Sequence, residues 1–172
     1  MKYILKLALT LLLITAVVAG LLGFVNLLTE DKIAENTAKK ANEAMTAVLP
    51  ADEYSKLEVV ADDITEIYKA DDKGYVVRLN ANGFGGAIDL MVGIDLEGKV
   101  TGISVISHSE TASLGAECTR ADWQSQFVGT AGSLQVTKDG GTVDALTGAT
   151  VTSRAVTEAV NRAVEFVKEV QG

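Results

Sequence analysis

From Leu7 to Leu28 the chain reads LALTLLLITAVVAGLLGFVNLL, with no charged residue. At a helical rise of about 1.5 Å per residue this run is long enough to cross a hydrocarbon core about 30 Å thick, and it predicts one transmembrane helix. The pattern then changes. Ile33, Ala34, Ala38, Ala41, Met45 and Val48 recur at helical spacing until Pro50, the only proline, which predicts a juxtamembrane helix over residues 30–50. Its Lys39 and Lys40 are placed to meet lipid headgroups, or simply to form a solvated face.

Four short runs follow, ITEIYKA, GYVVRLN, GAIDLMVGID and KVTGISVISHS, each bounded by turn residues and each predicted as a strand. LEGK separates the last two, with Gly98 suited to a left-handed turn position, so they form a hairpin with antiparallel pairing. RADWQSQFVG predicts a short helix, LQVTKDGGTVDAL a turn between two strands, and residues 151–170 a closing helix. There Val156, Val160, Ala163, Val164 and Val167 share one stripe that should pack on the sheet, while Arg154, Glu158, Asn161, Glu165 and Lys168 lie largely elsewhere. The expected class is α+β, a mainly antiparallel sheet with packed helices behind one N-terminal transmembrane helix. The expected organisation is residues 1–6 cytoplasmic, 7–28 transmembrane, 30–50 juxtamembrane and 51–172 an extracytoplasmic domain.

Charge sets the orientation and narrows the partners. Lys2 and Lys6 precede the apolar run and TEDK follows it, so the positive-inside tendency puts the N-terminus in the cytoplasm. The competing reading is a signal peptide cut after Ala19, but the apolar run continues past that point, beyond the usual h-region of about 7 to 15 residues. The 172-residue chain has a net charge of −8, and those two lysines are its only charges before Glu30, so the rest is strongly acidic. That disfavours nucleic acid as a partner. One cysteine, Cys118, and one histidine, His108, close off disulfide frameworks, zinc sites and cysteine-ligated iron–sulfur clusters within this chain. A redox role would need another cofactor.

The segment DALTGATVTS, Asp144 to Ser153, is where chemistry can reside. Gly148 permits a sharp turn, Ala149 leaves the surface unobstructed, and Thr150 presents a hydroxyl at the start of a helix. Unpaired N–H groups and a partial positive charge make that end favourable for a phosphate. Two readings stand: Thr147 and Thr150 are turn and capping residues, or one of them meets a phosphate group.

DALTGAT resembles the flavinylation motif Asp-x-x-Ser/Thr-Gly-Ala-Ser/Thr of FMN-binding domains in the G subunit of the Rnf electron-transport complex and the C subunit of the sodium-translocating NADH:quinone oxidoreductase. It matches at Asp144, Thr147, Gly148, Ala149 and Thr150. The resemblance extends over nearly the whole chain, since the anchor, NGFGGAIDLMVGID, GKVTGISVISHSETASLGA and the motif stand in the family's order. One departure is Thr111, Ala112 and Ser113, where many relatives have Thr-Pro-Gly.

The resemblance implies FMN covalently attached to Thr150 through a phosphoester, with Glu110, Thr111 and Leu114 in the flavin pocket. It implies a membrane-anchored electron carrier within a complex that moves electrons between reduced ferredoxin and NAD+ and couples this to cation transport. A separate flavin transferase would transfer FMN from FAD, with Asp144 either required for that step or shaping the loop as an Asx turn. No dinucleotide fingerprint is present, so this subunit alone is not expected to bind NAD. The alternatives are the C subunit of the quinone-reducing sodium pump, against which the short chain weighs, and a non-redox anchored module in which LTGAT only caps a helix. Trp123 and Phe127, four apart, read as core or interface anchors rather than flavin stackers, Cys118 as an unreactive thiol, and His108 as either a structural or a pocket residue.

Overall fold

A computed structural model describes residues 2–58, 61 and 64–171. The ends of the expected segments at Met1 and Gly172, and residues 59, 60, 62 and 63, lie outside the described residues. The chain divides into two units, Met1–Lys39 and Lys40–Gly172, and helix α1 (Lys2–Val48) contributes to both.

In the first unit, leucines, valines and isoleucines stand exposed around the whole helix, Leu11, Leu12, Leu13 and Ile14 among them. A helix that is apolar on all sides suits lipid, and this one is long and apolar enough for a single-pass anchor. Its hydroxyls are satisfied locally. Thr15 Oγ1 donates to the Leu11 carbonyl at 2.9 Å and Thr29 Oγ1 to the Val25 carbonyl at 2.9 Å, which removes the cost of an unpaired polar group in hydrocarbon.

The second unit is built on five strands in sequential antiparallel order: β1 (Tyr54–Leu57), β2 (Ile64–Ala70), β3 (Gly74–Asn82), β4 (Ala87–Asp95) and β5 (Val100–His108). Four strands fall on the runs expected from sequence, and Gly98 takes the left-handed turn conformation at φ +78°. β1 is an addition to them, because YSKL is too short and polar to stand out as a strand. It lies at the sheet edge, where its Lys56 pairs with Glu66 of β2 at 2.5 Å.

The sheet is covered on both faces. On one lies α3 (Thr150–Gln171), whose Val156, Val160, Ala163, Val164 and Val167 are fully buried with Val77, Leu90 and Val92 of the sheet. The predicted stripe is therefore the packing face. On the other, Ala41, Ala44, Met45 and Val48 of α1 bury against Val76, Met91 and Ile106. Contact there is close because Gly93 and Gly102 are register partners, and a Cβ at Gly102 would lie 3.1 Å from Val48 Cα. Thr101 Oγ1 completes the junction by donating to the Val48 carbonyl at 2.6 Å.

Two expected elements differ. RADWQSQFVG is not one helix but α2 (Ala121–Gln124) followed by a 3-10 turn at Ser125–Phe127. The helix stops because Gly129 N donates to the Val100 carbonyl and Val100 N to the Thr130 carbonyl, both at 2.8 Å, drawing the chain alongside β5. LQVTKDGGTVDAL contains no strand pair of the main sheet. It makes a single bridge, Val136 to Val143, around a 3-10 turn at Thr137–Asp139, because Asn161 of α3 holds its start by two bonds to the Leu134 backbone, each 2.8 Å.

Candidate flavin site

α3 begins where the motif turns. Ala149 N donates to the Leu146 carbonyl at 3.0 Å, and Gly148 sits at φ +76°, a conformation that L side chains rarely adopt. A Cβ there would also lie 2.9 Å from Leu114 Cδ2. Thr150 is the first residue of α3 rather than the residue before it, so Ala149 occupies the cap position. Ser153, fully buried, ties the turn together: its hydroxyl donates to the Ala149 carbonyl and accepts from Leu146 N, each at 2.9 Å.

Ser153 thus performs the stitching that the capping reading assigned to the threonines. Among the described residues, neither the Thr147 nor the Thr150 hydroxyl makes a capping bond; Thr150 Oγ1 instead accepts from Lys138 Nζ at 2.7 Å. The first three N–H groups of α3 have no acceptor within the helix, which leaves the partial positive charge of that end beside Thr150.

The loop after β5 supplies the opposite wall. Glu110 is buried, with 9% of its surface exposed, and bridges two distant segments. Oε1 accepts from Gly85 N at 2.9 Å and Oε2 from Thr152 Oγ1 at 2.7 Å. The glycine loop after β3 and the first turn of α3 are thereby held on either side of one carboxylate. Between them is a cavity of about 410 Å³, within the usual size of small-molecule sites. Glu110, Thr111, Leu114, Gly148, Ala149 and Thr150 line it, joined by Phe84, Gly115, Val151 and Thr152. Phe84, at 76% exposure, and Leu114 stand at the surface as an apolar rim.

Six of the eight expected site residues therefore meet at one cavity. Thr147 and Asp144 do not line it. Both are exposed in the preceding turn, and the Asp144 backbone is gripped by α2 and the turn after it: its carbonyl accepts from Trp123 Nε1 at 2.7 Å and its N–H donates to Gln126 Oε1 at 2.7 Å. Trp123 is a buried anchor, with its ring edge-on to Phe127 at 5.3 Å between centroids. His108 accepts from Glu110 N at Nδ1, 3.2 Å, and faces a different groove. Cys118 is buried, and desolvation with the nearby Glu110 charge pushes its thiol up to about 11, keeping it protonated and unreactive at neutral pH.

Sequence reasoning pointed to the NGFGG stretch that holds Phe84 but missed Val151, Thr152 and Lys138. Thr152 lies 42 positions from Glu110, and no local pattern links them. Lys138 carried one faint signal, a cation in the turn just before the motif of an acidic domain.

The FMN-binding domain family matches residues 83–165, a span that takes in the motif and every residue lining the cavity. The RnfG N-terminal region matches residues 1–48. The G subunit of the ion-translocating oxidoreductase complex of Methanosarcina acetivorans is 36% identical, the match covering 99% of this chain and 98% of that protein. The G subunit of the same complex in Escherichia coli K12 is 37% identical over 95% and 90%. The G subunit of the proton-translocating ferredoxin:NAD(+) oxidoreductase complex of Clostridium ljungdahlii is 35% identical over 94% and 90%. The chain belongs to the family of Rnf-complex G subunits. Among solved structures, the C subunit of the sodium-translocating NADH-quinone reductase of Parabacteroides distasonis has the same domain fold, with a TM-score of 0.57 at 20% identity over 79% of this chain and 92% of that one.

Proposed function

We propose that this chain is the membrane-anchored electron-carrier subunit of an Rnf-type ion-translocating complex, with FMN joined to Thr150 Oγ1 by a phosphoester. The observation that carries the reading is the Thr150 hydroxyl, free of any capping role and set at a helix start on the wall of a cavity of flavin-accepting size. The residues present fit the group. The α3 N-terminus and Lys138 suit the phosphate, while Phe84, Leu114 and Ala149 offer apolar surface to the ring system.

FMN bound there supplies reversible uptake and release of electrons. A covalent tether prevents its loss. Glu110 keeps the two sides of the cavity at fixed separation, and the exposed Phe84 rim leaves one edge open toward partner proteins. The other subunits of the complex, ferredoxin and NAD+ among the reactants of the whole assembly, exchange electrons through this carrier, which completes no catalytic cycle alone. Maturation requires a flavin transferase.

Protein taken from its native membrane and run under denaturing conditions should give a fluorescent flavin band at its own mobility, with the FMN mass increment on the peptide containing Thr150. A dark band would end the proposal. The anchor is read with its N-terminus cytoplasmic and the domain on the far side. Protease added outside cells whose outer layers have been removed should digest the domain, and full protection would reverse the orientation.

A further inference from the structure

Among the described cations of the folded unit, Lys138 is the one whose side chain reaches a motif hydroxyl. It lies exposed on the Thr137–Asp139 turn, and among the described residues its ammonium makes no ion pair, although the domain is strongly acidic. Its one hydrogen bond goes to Thr150 Oγ1 at 2.7 Å. Chance does not hold it there. The turn is tied to α3 at two points, by Asn161 on the Leu134 backbone and by Arg154, whose Nε and Nη2 each bond an Asp139 oxygen at 2.6 Å. The Asp139 carboxylate is thereby engaged by Arg154, whose cation lowers its pKa, and is not the partner of its neighbour Lys138. Thr137 N donating to the Val143 carbonyl at 2.8 Å closes the turn from the motif side.

We infer that Lys138 is the cation that receives the phosphoryl charge when flavin is transferred to Thr150, and that it holds the resulting phosphodiester. The inference rests on the reading of Thr150 as the attachment residue. In the transfer, the bond from Thr150 Oγ1 to the flavin-side phosphorus of FAD forms and the P–O bond to the adenylate breaks. AMP leaves with that electron pair, and the hydroxyl proton is released to water. Negative charge accumulates on the phosphoryl oxygens at the bond-forming atom, next to the ammonium group. A fixed cation there stabilises the transition state without reorganising.

The test uses the unloaded full-length chain in detergent with a flavin transferase and FAD, following fluorescence of the denatured band over time. Lys138→Met should slow attachment at saturating FAD at least tenfold, with the FAD KM within twofold of wild type. Lys138→Arg should restore at least half of the rate. Because Lys138 is exposed, the urea midpoints of both variants should match wild type. A rate within twofold of wild type in Lys138→Met, or an arginine variant as slow as the methionine one, overturns the role. Thr150→Ala run alongside separates the two ideas: label on that variant would sink the attachment reading itself, whereas its loss beside a wild-type rate in Lys138→Met sinks only the lysine's part.

Discussion

Thr150→Ala protein is expected to fold, to reach the membrane and to carry no covalent flavin at all. The substitution removes one hydroxyl and one methyl from a half-buried residue at the first position of α3. Alanine is the best helix former, and the capping bonds belong to Ser153, so the helix should start where it does now. The hydrogen bond lost is the one from exposed Lys138, which is worth little to stability. The effect is therefore on attachment alone. Thr150→Ser, which keeps the oxygen, should retain the label. Thr147→Ala tests the rival hydroxyl of the motif; Thr147 is exposed and outside the cavity, so its loss should weaken attachment without removing the site. Denaturing electrophoresis with flavin fluorescence, paired with intact mass, reads all three. A fluorescent Thr150→Ala band would move the attachment elsewhere, and Thr147 would be the next candidate.

The proposed phosphate attachment to Thr150 has an electrostatic logic. A phosphodiester keeps one negative charge, and beside an exposed helix N-terminus that charge is stabilised by about 0.3 to 1 kcal/mol. In the proposed product the same end of α3 would supply that stabilisation.

Much of this architecture could be read from residue order because it depends on local periodicity. The apolar runs GYVVRLN and GAIDLMVGID become β3 and β4, largely buried because the sheet is covered on both faces, and the valine stripe of α3 is buried as its spacing demanded. Family likeness named Glu110, Thr111, Leu114 and Thr150, which lie far apart in sequence and line one cavity. What stayed hidden depends on contacts between segments far apart in the chain. Glu110 joins Gly85 to Thr152, Trp123 reaches the Asp144 carbonyl, and Lys138 reaches Thr150, all through loops whose paths no periodicity encodes. The split of RADWQSQFVG follows the same rule. Its residues have adequate helical character, but pairing of Gly129 and Thr130 with Val100 competes for the backbone and wins. β1 escaped notice because edge strands need no continuous apolar face, and YSKL has none.

Phe127→Ala should produce the largest loss of stability among single core truncations on the motif side of the sheet, about 3 to 5 kcal/mol. Phe127 is fully buried, its ring meets Trp123 edge-on, and no neighbouring element is free to collapse into the vacated space, because α2 and the following turn are tied to Asp144 and to Val100. Against a domain stability of about 5 to 15 kcal/mol that is a large share. Urea titration of the unloaded full chain in detergent, followed by far-UV circular dichroism, would register it. Phe127→Leu should lose less, since most of the volume remains. Trp123→Phe should cost about 1 kcal/mol for the lost bond to the Asp144 carbonyl, plus the smaller ring. In a double-mutant cycle the two rings should couple by about 0.5 to 1.5 kcal/mol. These changes act on the scaffold beneath the motif, not on the attacking oxygen. Flavin attachment in Phe127→Ala should therefore fall with the folded fraction and return when the protein is assayed at a temperature where it is folded. A variant that stays folded yet never takes up flavin would show instead that the Phe127 and Trp123 contact sets the geometry of the motif itself.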